Sequence, residues 1–454
     1  MRKYFLDLFG CVKNQVDAEN MMAHLEKAGW ENAEDAESAE IIIVNSCGFI
    51  ESAKKESIEA VIGWRKIYPE KKILLAGCLT QRYEQELSLS LTEADGFFGT
   101  ENITEITQAV LKTAQGGERE KEEDKTGIKK SAKKKISQGD RPLLSLPGSA
   151  YVKISEGCNN RCSYCAIPLI RGELRSRTIP DILEECSVLL KRGIKEFCIV
   201  AQDSGSFGKD YVQTSKLPEL LNAVSSLEGN FWVRLLYIHP DNFPLQILDI
   251  IDKDPRILPY FDIPFQHASA KILTAMNRQG NAEKNLGLLK TIRERLPHSV
   301  IRSTFLTGFP GETEEDFAAL LDFQEKAALD WVGCFAYSRE EGTDAYSMKG
   351  QVPKKTAAVR KKNIEEKQIP ITEKNMDRFI GQKLDVLIEE QIDPSDSSSD
   401  DTIWLGRLYC HAPEIDGAAV IAGRGKNKNP QPGTLVPCRV TARRGFDLEV
   451  QVLS

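Results

Sequence analysis

No stretch of this chain approaches the roughly 20 consecutive apolar residues that a bilayer-spanning helix needs. Its first residues, Met1-Arg-Lys-Tyr-Phe-Leu-Asp-Leu-Phe9, set an acid inside the apolar run, where a secretory signal would be uninterrupted. No membrane association is therefore expected, and a cytoplasmic location is. An excess of positive charge is also lacking: 60 Lys and Arg stand against 67 Asp and Glu, a net charge of −7. Affinity built mainly on coating a phosphate backbone is not expected from that balance, whereas a basic protein partner suits it. With 41% hydrophobic and 28% charged residues, the chain falls in the globular range. Its 454 residues suffice for two or three domains, each with a real core.

Cysteine, by contrast, is plentiful. Eleven thiols in a reducing compartment suggest metal or redox work rather than disulfides, so their positions matter.

The hydrophobic pattern divides the chain into an α/β multidomain protein. Over residues 1–115, short apolar runs (Tyr4 to Phe9, Ile41 to Asn45, Ile73 to Ala76) alternate with helical stretches (Val16 to Ala28, Ala53 to Ile67). Such alternation predicts an open parallel α/β sheet. Residues 116–143 form a charged linker, acidic then basic, with few large apolar residues and a solvated character expected as far as Arg141. Residues 144–374 carry six candidate strands: Ala150 to Ile154, Glu196 to Ala201, Trp232 to Ile238, Tyr260 to Pro264, Ser299 to Leu306 and Val332 to Tyr337. Six βα units are too few for a closed eight-unit barrel, so a partial (β/α)6 barrel is predicted. After a polar helix from Lys354 to Arg378, residues 377–454 hold five short strands that predict a small OB-like β barrel.

Two cysteine groups stand out. Cys158-Asn-Asn-Arg-Cys162-Ser-Tyr-Cys165 directly follows the first strand of the central domain. Three thiolates on one tight loop can hold three irons of a cubic cluster and leave the fourth iron open. A structural zinc site is the competing reading, but it wants four ligands and no fourth Cys or His lies nearby. Cys11, Cys47 and Cys78 each sit just beyond a predicted strand, in Leu8-Phe-Gly-Cys11, Val44-Asn-Ser-Cys47 and Leu75-Ala-Gly-Cys78. In an open parallel sheet those strand ends share one edge, where ligands bind, so the three thiols can converge on a second cluster. Any one of them alone reads more often as a buried, inert thiol, and it is the three equivalent placements that favour a second cluster. Cysteines 186, 198, 334, 410 and 438 share no such placement and are expected to be packing residues.

The two trios and the terminal barrel resemble the three-domain methylthiotransferases, a branch of the radical S-adenosylmethionine superfamily whose last domain is called TRAM. The resemblance covers essentially the whole chain. It implies two 4Fe-4S clusters, one on Cys158, Cys162 and Cys165, the other on Cys11, Cys47 and Cys78. It also implies two uses of S-adenosylmethionine: one methylates a sulfur held at the second cluster, and one supplies the 5′-deoxyadenosyl radical that removes hydrogen from the substrate carbon. An electron donor and a sulfur donor are implied as partners. The physical need is that an unreactive C–H cannot be deprotonated by side chains at neutral pH, so cofactors carry the hard chemistry.

Two branches differ in substrate, one acting on tRNA (MiaB-like), the other on an aspartate of small-subunit ribosomal protein S twelve (RimO-like). Gly10-Cys-Val-Lys-Asn14, Cys47-Gly-Phe-Ile-Glu-Ser-Ala-Lys54, Tyr237-Ile-His-Pro240, Gln266-His-Ala-Ser269, Met276-Asn-Arg278 and Ala412-Pro-Glu-Ile-Asp-Gly417 resemble the second. The chain departs from that pattern at Val12 and at Cys410-His411, neither a proposed ligand. From Asp377 to Ser454 there are nine Lys and Arg against twelve Asp and Glu, an acidic barrel better suited to a basic ribosomal protein than to tRNA. The expected substrate is therefore ribosomal protein S twelve, free or in the small subunit, at the β-carbon of an aspartate. A tRNA adenosine methylthiotransferase and a non-catalytic metal-stabilised binding protein are the alternatives.

Gln202, Asp203, Gln266, Ser303 and Thr304 lie near strand carboxyl ends, where a barrel places its site. That position and the resemblance together mark them as cofactor contacts. Thr313 and Asp316 are spaced as a helix capping box. His239 and His267 are expected to be hydrogen-bonded wall residues. Lys13, next to Cys11, is a candidate to attract the target carboxylate, against the reading of a solvated helix-entry lysine.

Overall fold

The computed structural model describes residues 2–115, 138–392, 402–422 and 430–453. Most of the charged linker, 116–137, lies outside the described residues. Two compact units emerge: residues 1–144 together with 166–172, and residues 145–165 together with 173–454.

The first unit is a five-stranded sheet in the order β2-β1-β3-β4-β5, parallel throughout. Its strands are β1 (Arg2–Leu8), β2 (Trp30–Asn32), β3 (Ile41–Ser46), β4 (Lys72–Gly77) and β5 (Gly96–Phe98). Helices α1 (Val12–Lys27), α2 (Glu51–Ile67), α3 (Cys78–Ser90) and α4 (Ile106–Ala114) make the crossovers, and a short helix α5 (Ile167–Arg171) belongs to the same unit. Alternation along β3 explains the layering. Ile41 and Ile43 pack with Met21, Leu25 and Val110 on one face, while Ile42 and Val44 pack with Val61, Leu79 and Leu87 on the other. The short edge strands β2 and β5, of three residues each, escaped the sequence pattern because neither is long enough to show a period.

At Arg141 the structure corrects the solvated reading of the linker. The side chain is fully buried and its Nε donates to Glu19 Oε2 at 2.8 Å, while the other Glu19 oxygen accepts from the Leu144 N–H. A charge can be buried so because it is paired and hydrogen-bonded.

The second unit carries six parallel strands in the order β13-β12-β11-β10-β9-β6: β6 (Ser149–Lys153), β9 (Glu196–Val200), β10 (Trp232–Leu235), β11 (Ile257–Asp262), β12 (Val300–Thr307) and β13 (Trp331–Ala336). The outer strands β6 and β13 do not pair, so the barrel is partial, as six units predict. A two-residue hairpin, β7 (Ser155–Glu156) with β8 (Arg175–Ser176), brackets the cysteine loop. The same unit holds a closed five-stranded barrel, β14 (Lys383–Ile392), β15 (Ile403–Arg407), β16 (Ala419–Ala422), β18 (Asp447–Val452) and β17 (Leu435–Arg444) in that order. It packs at the amino ends of the half-barrel strands. Arg407 reaches Glu196 at the start of β9 (2.6 Å), Trp331 Nε1 donates to the Cys410 carbonyl (2.8 Å), and Tyr260 Oη donates to Asp416 (2.6 Å).

Candidate functional site

The first unit brings the early cysteines together. β1, β3 and β4 are neighbours, and each is followed by one of the three, Cys11 three residues beyond Leu8 and Cys47 and Cys78 directly after Ser46 and Gly77. Cys11 caps the amino end of α1, where the Lys13 and Asn14 amides favour a thiolate, Cys78 begins α3, and Cys47 opens the loop into α2. The loops interlock. A Cβ at Gly10, whose φ is +99°, would stand 3.1 Å from Cys47 Cβ, and one at Gly48 would strike the Cys78 carbonyl oxygen at 2.5 Å. Only glycine admits such approaches. Asn14 Nδ2 donates to the carbonyls of Phe9 (2.7 Å) and Ser46 (3.3 Å), and Asn45 Nδ2 donates to the Asn14 carbonyl (3.0 Å), stitching the first loop to the second.

Each sulfur feels the others. Burial pushes the Cys78 thiol up to about 12, opposed by the nearby Arg171 charge and assisted by Cys11 and Cys47. Burial raises Cys47 as well, against the Phe49 amide and Arg171. At Cys11, which is exposed, desolvation by the surrounding loops is outweighed by Lys13, the Asn14 amide and Arg171, and the thiol is lowered. Among the described residues no group of three His, Cys, Asp or Glu closes on a single metal ion. Three cysteines make a donor set that a cubic cluster accepts, one thiolate on each of three irons, whereas a structural zinc ion wants four ligands.

The second unit positions Cys158, Cys162 and Cys165 on a loop held from several sides. The Cys165 amide bonds the Cys162 carbonyl (3.0 Å), and the Ser163 N–H and Oγ donate to the carbonyls of Met276 (3.0 Å) and Ala275 (2.7 Å). Arg278 donates to Tyr164 Oη (3.0 Å) and to the Pro264 carbonyl (2.6 Å), and Asn277 Nδ2 to the Arg161 carbonyl (2.7 Å). Burial raises the Cys158 thiol to about 11. All three cysteines retain accessible surface.

The five expected cofactor contacts divide. Gln266, with φ +67°, and Thr304 face each other through the Gln266 N–H to Thr304 carbonyl bond (2.8 Å). Gln202 Nε2 donates to Glu156 (3.0 Å), and its buried Oε1 has no hydrogen-bond partner among the described residues. Ser303 is engaged with the protein, giving its Oγ proton to the Ile263 carbonyl (2.7 Å) and accepting from the Phe265 N–H (3.1 Å). Asp203 is more committed still: its oxygens accept from Asn160, Ser206, Asn242, Gly205 and His239 at 2.6–3.0 Å, tying the loop after Cys158 to two strand ends.

Other expectations are met. Thr313 and Asp316 form the capping box of the helix Glu314–Ala327. His239 and His267 are buried and accept, at Nδ1, the N–H groups of Asp241 (3.2 Å) and Ser269 (3.0 Å). Cysteines 186, 198, 334, 410 and 438 are all buried. Lys13 is half-buried, and its charge is felt at Cys11. Sequence reasoning missed Arg171, although a lone arginine closing the apolar run Ala166 to Ile170 is a visible cue, and it marked Arg278 within Met276-Asn-Arg278 without giving it a role.

The comparisons agree with this architecture. Residues 3–99 match the Uncharacterized protein family UPF0004, residues 152–323 the Radical SAM superfamily and residues 380–453 the TRAM domain. A solved radical S-adenosylmethionine methyltransferase, TsrM from Kitasatospora setae, shares the fold at TM-score 0.55 with 15% identity, over 76% of this chain and 74% of its own. The fold and the Cys158 loop thus define a radical S-adenosylmethionine enzyme, a class that works through S-adenosylmethionine and a 4Fe-4S cluster.

Curated relatives narrow the class. The ribosomal protein uS12 methylthiotransferase RimO of Treponema denticola is 47% identical, covering 98% of this chain and 99% of its own. That of Carboxydothermus hydrogenoformans is 39% identical over the whole of both chains. The chain belongs to the ribosomal protein uS12 methylthiotransferase family of radical S-adenosylmethionine enzymes.

Proposed function

We propose that this protein methylthiolates the β-carbon of an aspartate in ribosomal protein uS12. Residues 144–374 would serve as the radical domain, 1–115 as the sulfur-carrying domain and 377–454 as the TRAM domain. One observation carries the reading: three cysteines at the ends of adjacent strands, drawn together by interlocked loops, in a chain that also holds the Cys158 loop. Two clusters are supported by the two separate trios, each with its own set of braces.

In this reading the clusters and S-adenosylmethionine supply the radical and the methylated sulfur. The chain's own residues do the rest. Cys158, Cys162 and Cys165 hold one cluster, and Arg278 with the Ala275 and Met276 carbonyls fixes their loop. Gln202, Gln266 and Thr304 offer polar atoms to S-adenosylmethionine, while Asp203 and Ser303 brace the strand ends that present them. Cys11, Cys47 and Cys78 hold the second cluster. Lys13, at the rim of that trio, attracts the substrate carboxylate by a charge-assisted bond. An electron donor and a sulfur donor are required as partners, and a ribosomal substrate places the enzyme in the cytoplasm.

The test is mass spectrometry of uS12 and of tRNA from a strain lacking the gene. Loss of a methylthio group from uS12 with tRNA unchanged is expected. Loss from tRNA instead would transfer the protein to the other branch, and loss from neither would favour a binding role. For Lys13, the Lys13→Met variant should raise KM for uS12 with clusters intact, and an unchanged KM removes the lysine from the account.

A further inference from the structure

Arg171 places a buried guanidinium against the early cysteine trio. Its Nη2 lies 2.9 Å from Cys78 Sγ and 3.5 Å from Asn14 Oδ1, and Nη1 pairs with the carboxylate of Asp17. Arg171 is 5% exposed and Asp17 is not exposed at all. The five-residue helix that carries the arginine is too short to stand alone. It is held by Ala166 and Ile170 packing directly on Cys78. A buried cation is costly to place, and one carboxylate would neutralise it fully; the second N–H is nevertheless directed at sulfur.

We propose that Arg171 is a positioning residue that donates to the Cys78 thiolate of the second cluster and raises that cluster's reduction potential, with Asp17 limiting the effect. This rests on the reading above that Cys11, Cys47 and Cys78 bind a cluster. Reduction adds one electron to a group already made negative by its thiolates, without making or breaking a bond. A hydrogen bond to sulfur and a nearby positive charge stabilise the more reduced state, and both are recognised determinants of cluster potential. Removing the guanidinium shifts the potential down. Removing the Asp17 charge unmasks the guanidinium and shifts it up.

The experiment uses the full chain with Cys158, Cys162 and Cys165 changed to Ala, so that only the early trio can hold a cluster. The protein is reconstituted anaerobically and titrated with dithionite through redox mediators, following electron paramagnetic resonance. The parent should bind about four irons. At the parent's midpoint, Arg171→Gln should show at least a tenfold lower reduced-to-oxidised ratio, a displacement of about 59 mV for one electron. Arg171→Lys should lie between the two, and Asp17→Asn should move to the opposite side of the parent. If Arg171→Gln cannot hold iron, the opposite shifts of Arg171→Lys and Asp17→Asn carry the proposal. An unmoved midpoint in an iron-replete Arg171→Gln, or shifts of the same sign for the lysine and asparagine variants, overturns it. A parent without a four-iron cluster overturns the cluster reading itself, and this inference with it.

Discussion

Arg407 of the terminal barrel and Glu196 of the half-barrel, 211 residues apart in the chain, form a buried ion pair at 2.6 Å. Glu196 also accepts from Arg234 Nε (2.8 Å) and Ser149 Oγ (2.8 Å), and Arg407 Nε donates to Glu389 (2.5 Å). The pair therefore sits in a network drawn from both folds of the second unit, in which Arg234 Nη2 is left without a hydrogen-bond partner among the described residues. Replacing one partner leaves uncompensated charge. Arg407→Met is expected to cost ~3–5 kcal/mol of stability, read by urea unfolding at neutral pH; a loss below ~1 kcal/mol would mean that the two folds do not depend on it.

The same pair sets a pH dependence. Burial alone would push the Glu196 carboxyl up, but Arg407 and Arg234 outweigh it and hold the group at about 2. A depressed acid contributes fully above its unfolded pKa, near 4.5, and that contribution is lost as the pH falls through about 2. The stability gap between the native chain and Glu196→Gln should accordingly narrow by about 3 kcal/mol across that window. Parallel unfolding curves of the two proteins from pH 5 to 2 check this, and a constant gap contradicts it.

Gly48 faces the Cys78 backbone with no room for a methyl group. Gly48→Ala should destabilise the first unit by ~1–3 kcal/mol and reduce bound iron from about eight to about four per chain. Gly63, inside α2 with nothing within 4 Å of its virtual Cβ, is the matched control. Gly63→Ala should keep the iron and gain up to ~1 kcal/mol. Iron and sulfide assays with thermal melts distinguish the two.

The trios should separate by chemistry. Cys78→Ala is expected to retain reductive cleavage of S-adenosylmethionine, with 5′-deoxyadenosine formed and no methylthio product, and to bind about four irons. Cys158→Ala should abolish cleavage. Chromatography with mass detection of the nucleoside and of uS12 reads both, and a Cys78→Ala protein still making product would remove that thiol from the site.

Most elements of the fold were legible before any coordinates. The strand runs ending at Cys11, Cys47 and Cys78, the six strands of the half-barrel and the five of the terminal barrel all appear where apolar periodicity placed them. Periodicity and strand-end position are short-range properties, carried by residues within a few positions of one another, so the chain written in one dimension already contains them. The placement of three thiols at one sheet edge followed from parallel topology alone. Charged residues behaved differently. Arg141 read as the end of a solvated run, Arg171 drew no reading at all and Glu196 opened a candidate strand, yet all three are buried. Whether a charge is buried depends on a partner that satisfies it, and here those partners lie far along the chain: Glu19 for Arg141, Asp17 and Cys78 for Arg171, Arg407 for Glu196. The amino-acid order determined which groups could do the chemistry, and tertiary folding alone decided which buried charges stand beside them, because only folding supplies the desolvated counter-charge that makes burial tolerable.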